Sequence, residues 1–148
     1  MKSIIEKEFN TNKIKLWNII ANNYEKFKSN IIRTDIVDEN HFTEYSRENI
    51  ITKVEVIEKV LHQKYMANIE NQIVKGYFII NLIEKSPNET KIVFEIDVKA
   101  KSLFLNFGLK KKIVNGQINY FRDLAKRLNV FNIDMEKINS VQFKDENK

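Results

Sequence analysis

The stretch Ser102–Leu128, SLFLNFGLKKKIVNGQINYFRDLAKRL, decides the fold. Leu109, Ile113, Gln117, Tyr120, Phe121, Leu124 and Leu128 recur at three- and four-residue spacing, while Lys110, Lys111, Asn119, Arg122, Lys126 and Arg127 lie largely off that stripe. That is the pattern of an amphipathic helix with one face toward a core. Helical throughout, the stretch would run about 39 Å at ~1.5 Å per residue. It would then lie across a whole sheet of ten-residue strands, each about 33 Å long. Gly108 and Gly116 each cost a helix interior about 1 kcal/mol, so a kink is expected at the first and a close backbone approach at the second.

Upstream, the period changes to two. Ile92, Phe94, Ile96 and Val98 share one face of a strand, with Lys91, Glu95, Asp97 and Lys99 opposite. Strands are expected over 3–9, 31–37, 41–47, 50–58, 61–71, 75–84 and 90–99, with breaks at Asp38-Glu39-Asn40, Glu48-Asn49, Glu58-Lys59 and Ser86-Pro87-Asn88-Glu89. Thr11 or Asn12 caps a short helix carrying Ile14, Trp17, Ile20 and Tyr24. Short connections between strands imply antiparallel neighbours, and strands grouped apart from helices imply an α+β layer fold. A curved antiparallel sheet of about seven strands gripping the C-terminal helix accommodates every element, and the space between the two is where a pocket belongs.

Composition narrows the classes of function. The chain has 148 residues, one proline, three glycines and no cysteine, so disulfides and thiol chemistry are excluded and the sequence is that of a packed domain. We expect one domain over 1–128 and an extension over 129–148. Phe131, Ile133, Met135, Ile138, Val141 and Phe143 make that extension too apolar for a simple tail. It is expected either to pack back over the sheet or pocket mouth or to mediate self-association into a homodimer. No run approaches the ~20 apolar residues of a membrane span. The opening MKSIIEKEF contains acids and no long apolar core, so no signal peptide and a cytoplasmic location are expected. The net charge of +5 is spread along the chain, apart from Lys110-Lys111-Lys112. It speaks to solubility, and no nucleic-acid partner is expected. His41 and His62 lack a second ligand at metal spacing, and no metal or cofactor is expected.

An ordered series of motifs resembles the START-like, polyketide cyclase/dehydrase superfamily, whose plant members include the birch-pollen allergen. The likeness covers about residues 4–128. It is carried by Trp17, Asn22-Asn23-Tyr24, Phe27-Lys28-Ser29-Asn30-Ile31, Phe42-Thr43-Glu44, Tyr65 with Glu70-Asn71 and Gly76-Tyr77-Phe78, Thr90 to Glu95, and Gln117, Tyr120 and Asp123-Leu124. Phe27 stands where a tryptophan is common and Asn30 where an aspartate is common. The resemblance implies a helix-grip fold with a pocket for a hydrophobic or amphipathic small molecule. The superfamily contains binders, enzymes and protein-interaction modules, so fold alone does not select the activity.

The candidate ligand-binding residues are Phe42, Glu44, Tyr65, Phe78, Leu82, Phe94, Ile113, Gln117, Tyr120 and Phe121. Glu44 shares a strand face with Phe42 and is either an inward carboxylate able to exchange a proton or a solvated partner of Arg33 or Arg47. Gln117 interrupts the helix stripe and serves either a ligand or a strand carbonyl or water. Tyr65 and Tyr120 offer hydroxyls or simple packing, and Asn71 a turn or a ligand contact. Bulky Phe78, Leu82, Phe94 and Phe121 are expected to narrow the pocket. The expected function is non-enzymatic binding of a lipid-like or polyketide-like molecule. The alternatives are a cyclase/dehydratase-type enzyme using Glu44 as acid/base, with no catalytic residue otherwise expected, and a protein-interaction module.

Overall fold

A computed structural model describes residues 1–146, with side chains described through Asn129. Seven strands, β1 (Lys2–Phe9), β2 (Ile31–Asp38), β3 (His41–Ser46), β4 (Ile51–Val60), β5 (Lys64–Glu70), β6 (Val74–Ser86) and β7 (Glu89–Ala100), form one antiparallel sheet in the order β1-β7-β6-β5-β4-β3-β2. Helix α1 (Lys13–Ile20) follows β1, and helix α2 (Leu109–Glu146) follows β7. The antiparallel sheet of seven strands with a long C-terminal helix, expected from the order of elements, is the observed architecture, and it is the helix-grip fold that the resemblance implies.

Every expected strand is present, and the differences lie at ends. The break expected at Glu58-Lys59 falls later, because β4 continues to Val60 and the turn is made by 61–63, with His62 at φ 61°. Asn12 caps α1 by accepting from the Lys15 N–H at 2.9 Å. The helix ends at Ile20, so the expected stripe is corrected. Leu16, Trp17, Ile19 and Ile20 are buried, while Ile14 is half exposed and Tyr24 lies beyond the helix in solvent. The Asn22 side chain accepts from the Tyr24 N–H at 3.0 Å, a local turn that competes with another helical turn.

The stretch Ser102–Leu128 is likewise not helical throughout. A 3-10 turn occupies Leu103–Asn106, and α2 begins at Leu109. Gly108 sits at φ +72°, a left-handed conformation that glycine adopts freely. It separates the two instead of kinking one helix. Leu109 to Leu128 still spans about 30 Å at ~1.5 Å per residue. Leu109, Gln117, Phe121, Leu124 and Leu128 are buried, and Ile113 and Tyr120 are partly buried. The side chains of 130–148 lie outside those described, so the roles considered for Phe131, Ile133 and Met135 fall outside the described residues.

The main core joins Leu16, Trp17, Ile19 and Ile20 of α1 to Phe42, Val54, Tyr65, Ile80, Ile92 and Phe94 of the sheet and to Phe121, Leu124 and Leu128 of α2. A smaller cluster, Val74, Val98 and Leu109, closes the other end. Gln117 crosses the helix–sheet boundary between them. At the far edge, His41 bonds Asp38 at 2.8 Å and approaches Glu55 at 3.7 Å. The hydrogen bond to Asp38, helped by the charges of Asp38 and Glu55, raises its pKa above the ordinary 6.5. Among the described residues no helix is long and apolar enough to cross a membrane.

Candidate functional site

Between the concave side of the sheet and α2 lies a cavity of about 280 Å³. Its floor is apolar: Phe42, Ile69, Phe78, Ile80, Phe94 and Ile96 come from the strands, and Ile113 and Tyr120 from α2. The segment between α1 and β2 forms one wall through Phe27 and Lys28, and polar Asn22, Asn23, Lys26 and Arg33 line the same space. A sealed, dry void of this size would cost roughly 7 kcal/mol at ~24 cal/mol per Å³, about the whole stability of a small domain. An open or occupied cavity avoids that cost.

Three links hold the wall segment. Arg127 pairs with Glu25, and Lys28 with Glu44. Asp123, buried on α2, accepts from both the backbone N–H and the hydroxyl of Ser29 at 2.8 and 2.9 Å. Asp123 and Lys28 were not among the candidates, and no local periodicity marks either. They become partners only when α2 and β3 are brought to the same loop.

Glu44 does face the cavity, with 13% of its side chain exposed, and its partner is Lys28, not Arg33 or Arg47. Arg33 instead pairs with Asp35 and lies over the Tyr45 ring, while Arg47 donates to the Ser29 carbonyl. Tyr65 stacks on Phe78 at 5.9 Å, and Tyr120 meets Phe94 edge-on at 4.9 Å. Burial, with the negative charge of Glu44, pushes both phenol pKa values far up. Both are therefore neutral donors throughout the physiological range. Neither hydroxyl has a hydrogen-bond partner among the described residues. Fully enclosed side-chain nitrogen and oxygen atoms there all have one. Both hydroxyls therefore reach the open space of the cavity they line.

Of the ten candidates, Phe42, Glu44, Tyr65, Phe78, Phe94, Ile113 and Tyr120 line this cavity. The other three do not. Gln117 is fully buried and spent on the sheet: it accepts from the Ser3 hydroxyl at 2.6 Å and donates to the Ser3 and Phe94 carbonyls, each at 3.1 Å. Leu82 and Phe121 are packed in the core, Phe121 edge-on to Phe9 and Phe94. Asn71 shapes the turn between β5 and β6. It lines the cavity, and its side chain accepts from the Ile73 and Val74 N–H groups at 2.9 Å. Gly116 makes no close approach, since a Cβ there would meet nothing within 4 Å. It also lines the cavity, between Ile113 and Tyr120 on the same helix face.

Solved structures superimpose on this fold over most of the chain. A START superfamily protein from Mycobacterium smegmatis superimposes with a TM-score of 0.79, covering 88% of this chain and 98% of its own at 11% identity. The fold is START-like. A conserved protein from Geobacillus kaustophilus matches the START-like fold at TM-score 0.72 and 10% identity, covering 86% of this chain and 94% of that one. A protein from Mesorhizobium loti does so at 0.66 and 13% identity, covering 87% and 97%. No family model matches the sequence, and no curated protein matches it significantly. At this level of identity the START-like likeness speaks to architecture, so function rests on the cavity itself.

Proposed function

We propose that the protein binds a small amphipathic molecule, with its apolar body against Phe42, Phe78, Phe94 and Ile113 and an oxygen acceptor on the hydroxyls of Tyr65 and Tyr120. The observation that supports this reading most is the pair of unpartnered neutral phenols opening on a mainly apolar cavity. Polar groups inside a protein are ordinarily satisfied, and two donors pointing into one space suit a guest that accepts. Glu44 and Lys28, which both line this space, are paired with each other, and Arg33 is paired with Asp35. With those cations already engaged, a neutral acceptor such as a ketone, ester or alcohol suits the two phenols better than a carboxylate, which would need a cation of its own.

Thermal unfolding with matched pairs of one chain length, ketone or alcohol against fatty acid, tests this, with sterols and aromatic polyketides added. A guest at a hundred times its Kd stabilises the fold by about 2.7 kcal/mol, which raises the melting temperature of a domain this size by roughly 5–11 °C. The neutral member of each pair should give the larger shift. Replacing both Tyr65→Phe and Tyr120→Phe should weaken binding about tenfold, the worth of two modest hydrogen bonds. A panel without shifts, or shifts untouched by the two substitutions, would sink the reading.

A further inference from the structure

The turn that leads from β7 into α2 presents Leu103, Phe104 and Phe107 with 86%, 93% and 93% of their surface exposed. A single exposed apolar residue needs no explanation, whereas three large ones at the tip of one turn do. The same segment is strongly basic. From Val98 to Arg122 the sequence carries Lys99, Lys101, Lys110, Lys111, Lys112 and Arg122, and neither Asp nor Glu. Lys101 is paired with Glu70 at 3.1 Å. Lys110, Lys111 and Lys112 are exposed and have no ionic partner among the described residues.

Those three ammonium groups also stand in the first turn of α2, which contains no acid. The positive end of a helix favours anions, so three cations there work against the helix. A local rule broken with no compensation among the described residues points to a compensation from outside the chain. The turn is fastened to the cavity end of the sheet. The Lys101 N–H donates to the Ile73 carbonyl at 2.8 Å, and Leu109 packs on Val74. Val74 and neighbouring Asn71 line the cavity.

We propose that this turn docks the protein on an anionic lipid bilayer. Leu103, Phe104 and Phe107 enter the interfacial layer, and Lys110, Lys111 and Lys112 face the headgroup charges. Short apolar tips flanked by lysines bind such surfaces by combining buried apolar area with attraction to anionic lipid. A second copy of the chain is a poor occupant, because a two-fold contact would press one basic patch against its equal. Docking does not depend on the cavity having a guest. Placed beside the cavity, it would let an amphipathic molecule pass between bilayer and protein.

Sedimentation of the full chain with vesicles tests the proposal, using phosphatidylcholine alone and phosphatidylcholine mixed with phosphatidylglycerol. Binding is expected to the mixed vesicles, weakened by salt, and not to phosphatidylcholine alone. The combined change Lys110→Ser, Lys111→Ser and Lys112→Ser should lower partitioning about a hundredfold, each lysine near an anionic surface being worth about fivefold. Phe104→Ser with Phe107→Ser should lower it at least about tenfold. All five positions are exposed, so an unchanged circular dichroism spectrum should accompany each loss. Emission from a Phe104→Trp variant should be quenched by brominated lipid, a signal that buried Trp17 does not give. Absence of binding, equal binding to both vesicles, or binding indifferent to the phenylalanines would overturn the proposal. So would a change in oligomer size abolished by Phe104→Ser, which would assign the patch to a second copy.

Discussion

Gly76→Ala is expected to destabilise the protein by at least ~3 kcal/mol, beyond the usual cost of a single exposed substitution. A Cβ at this position would lie 2.1 Å from the Asp97 carbonyl oxygen and 2.7 Å from the Val98 Cα. Both obstacles are backbone, so neither can rotate aside. Gly76 sits opposite Val98 on β7 and opposite Ile69 on β5, two residues after Val74 at the cavity end of β6. A methyl group there must push β6 and β7 apart where the sheet closes on α2. Gly116→Ala provides the control, because it meets open space in a helix interior. It should gain up to about 1 kcal/mol. Urea denaturation of both variants gives the comparison, and a loss below ~0.5 kcal/mol for Gly76→Ala would mean that the strands do not approach this closely.

Gln117→Leu is expected to cost about 2 kcal/mol, or roughly 4–8 °C in melting temperature. The volume is nearly kept, so the loss comes from polar groups. Three hydrogen bonds vanish, and the buried Ser3 hydroxyl loses its acceptor. These bonds join α2 to the edge strand β1 and to its neighbour β7, fixing which helix face meets the sheet. Adding Ser3→Ala removes the orphaned hydroxyl and should return part of the stability, a coupling that a double-mutant cycle measures. Additive losses would show that the two side chains do not act as one unit.

These two positions also show what a sequence can and cannot convey. Periodicity located every strand and the buried face of α2, because alternation and three-to-four spacing are properties of one segment at a time. The same rule placed Gln117 correctly on the inner stripe. It did not distinguish a side chain facing the cavity from one facing β1, since that depends on where Ser3 and Phe94 arrive. The expectation that Leu82 and Phe121 narrow the pocket fails for the same reason: both point inward, and only the packed strands divide inward into core and cavity. Lys28 and Asp123 stand within motifs of the family resemblance but follow no periodicity that assigns them a role, and their roles arise from contacts 16 and 94 residues away. A kink at Gly108 is expected only if Ser102–Leu128 is one helix, in which a glycine needs compensation. In the fold Leu103, Phe104 and Phe107 face solvent, and Gly108, with its left-handed backbone, separates their turn from α2.

The account turns on the cavity holding a guest, and native mass spectrometry of freshly purified protein examines that most directly. It predicts a non-covalent small molecule that stays with the folded chain under gentle conditions and leaves on acid denaturation. The same adduct should be missing from Gly116→Leu, whose side chain would enter the cavity wall between Ile113 and Tyr120 without disturbing the helix. Bare protein from every preparation, together with no adduct after incubation with the neutral amphipaths, would contradict the account.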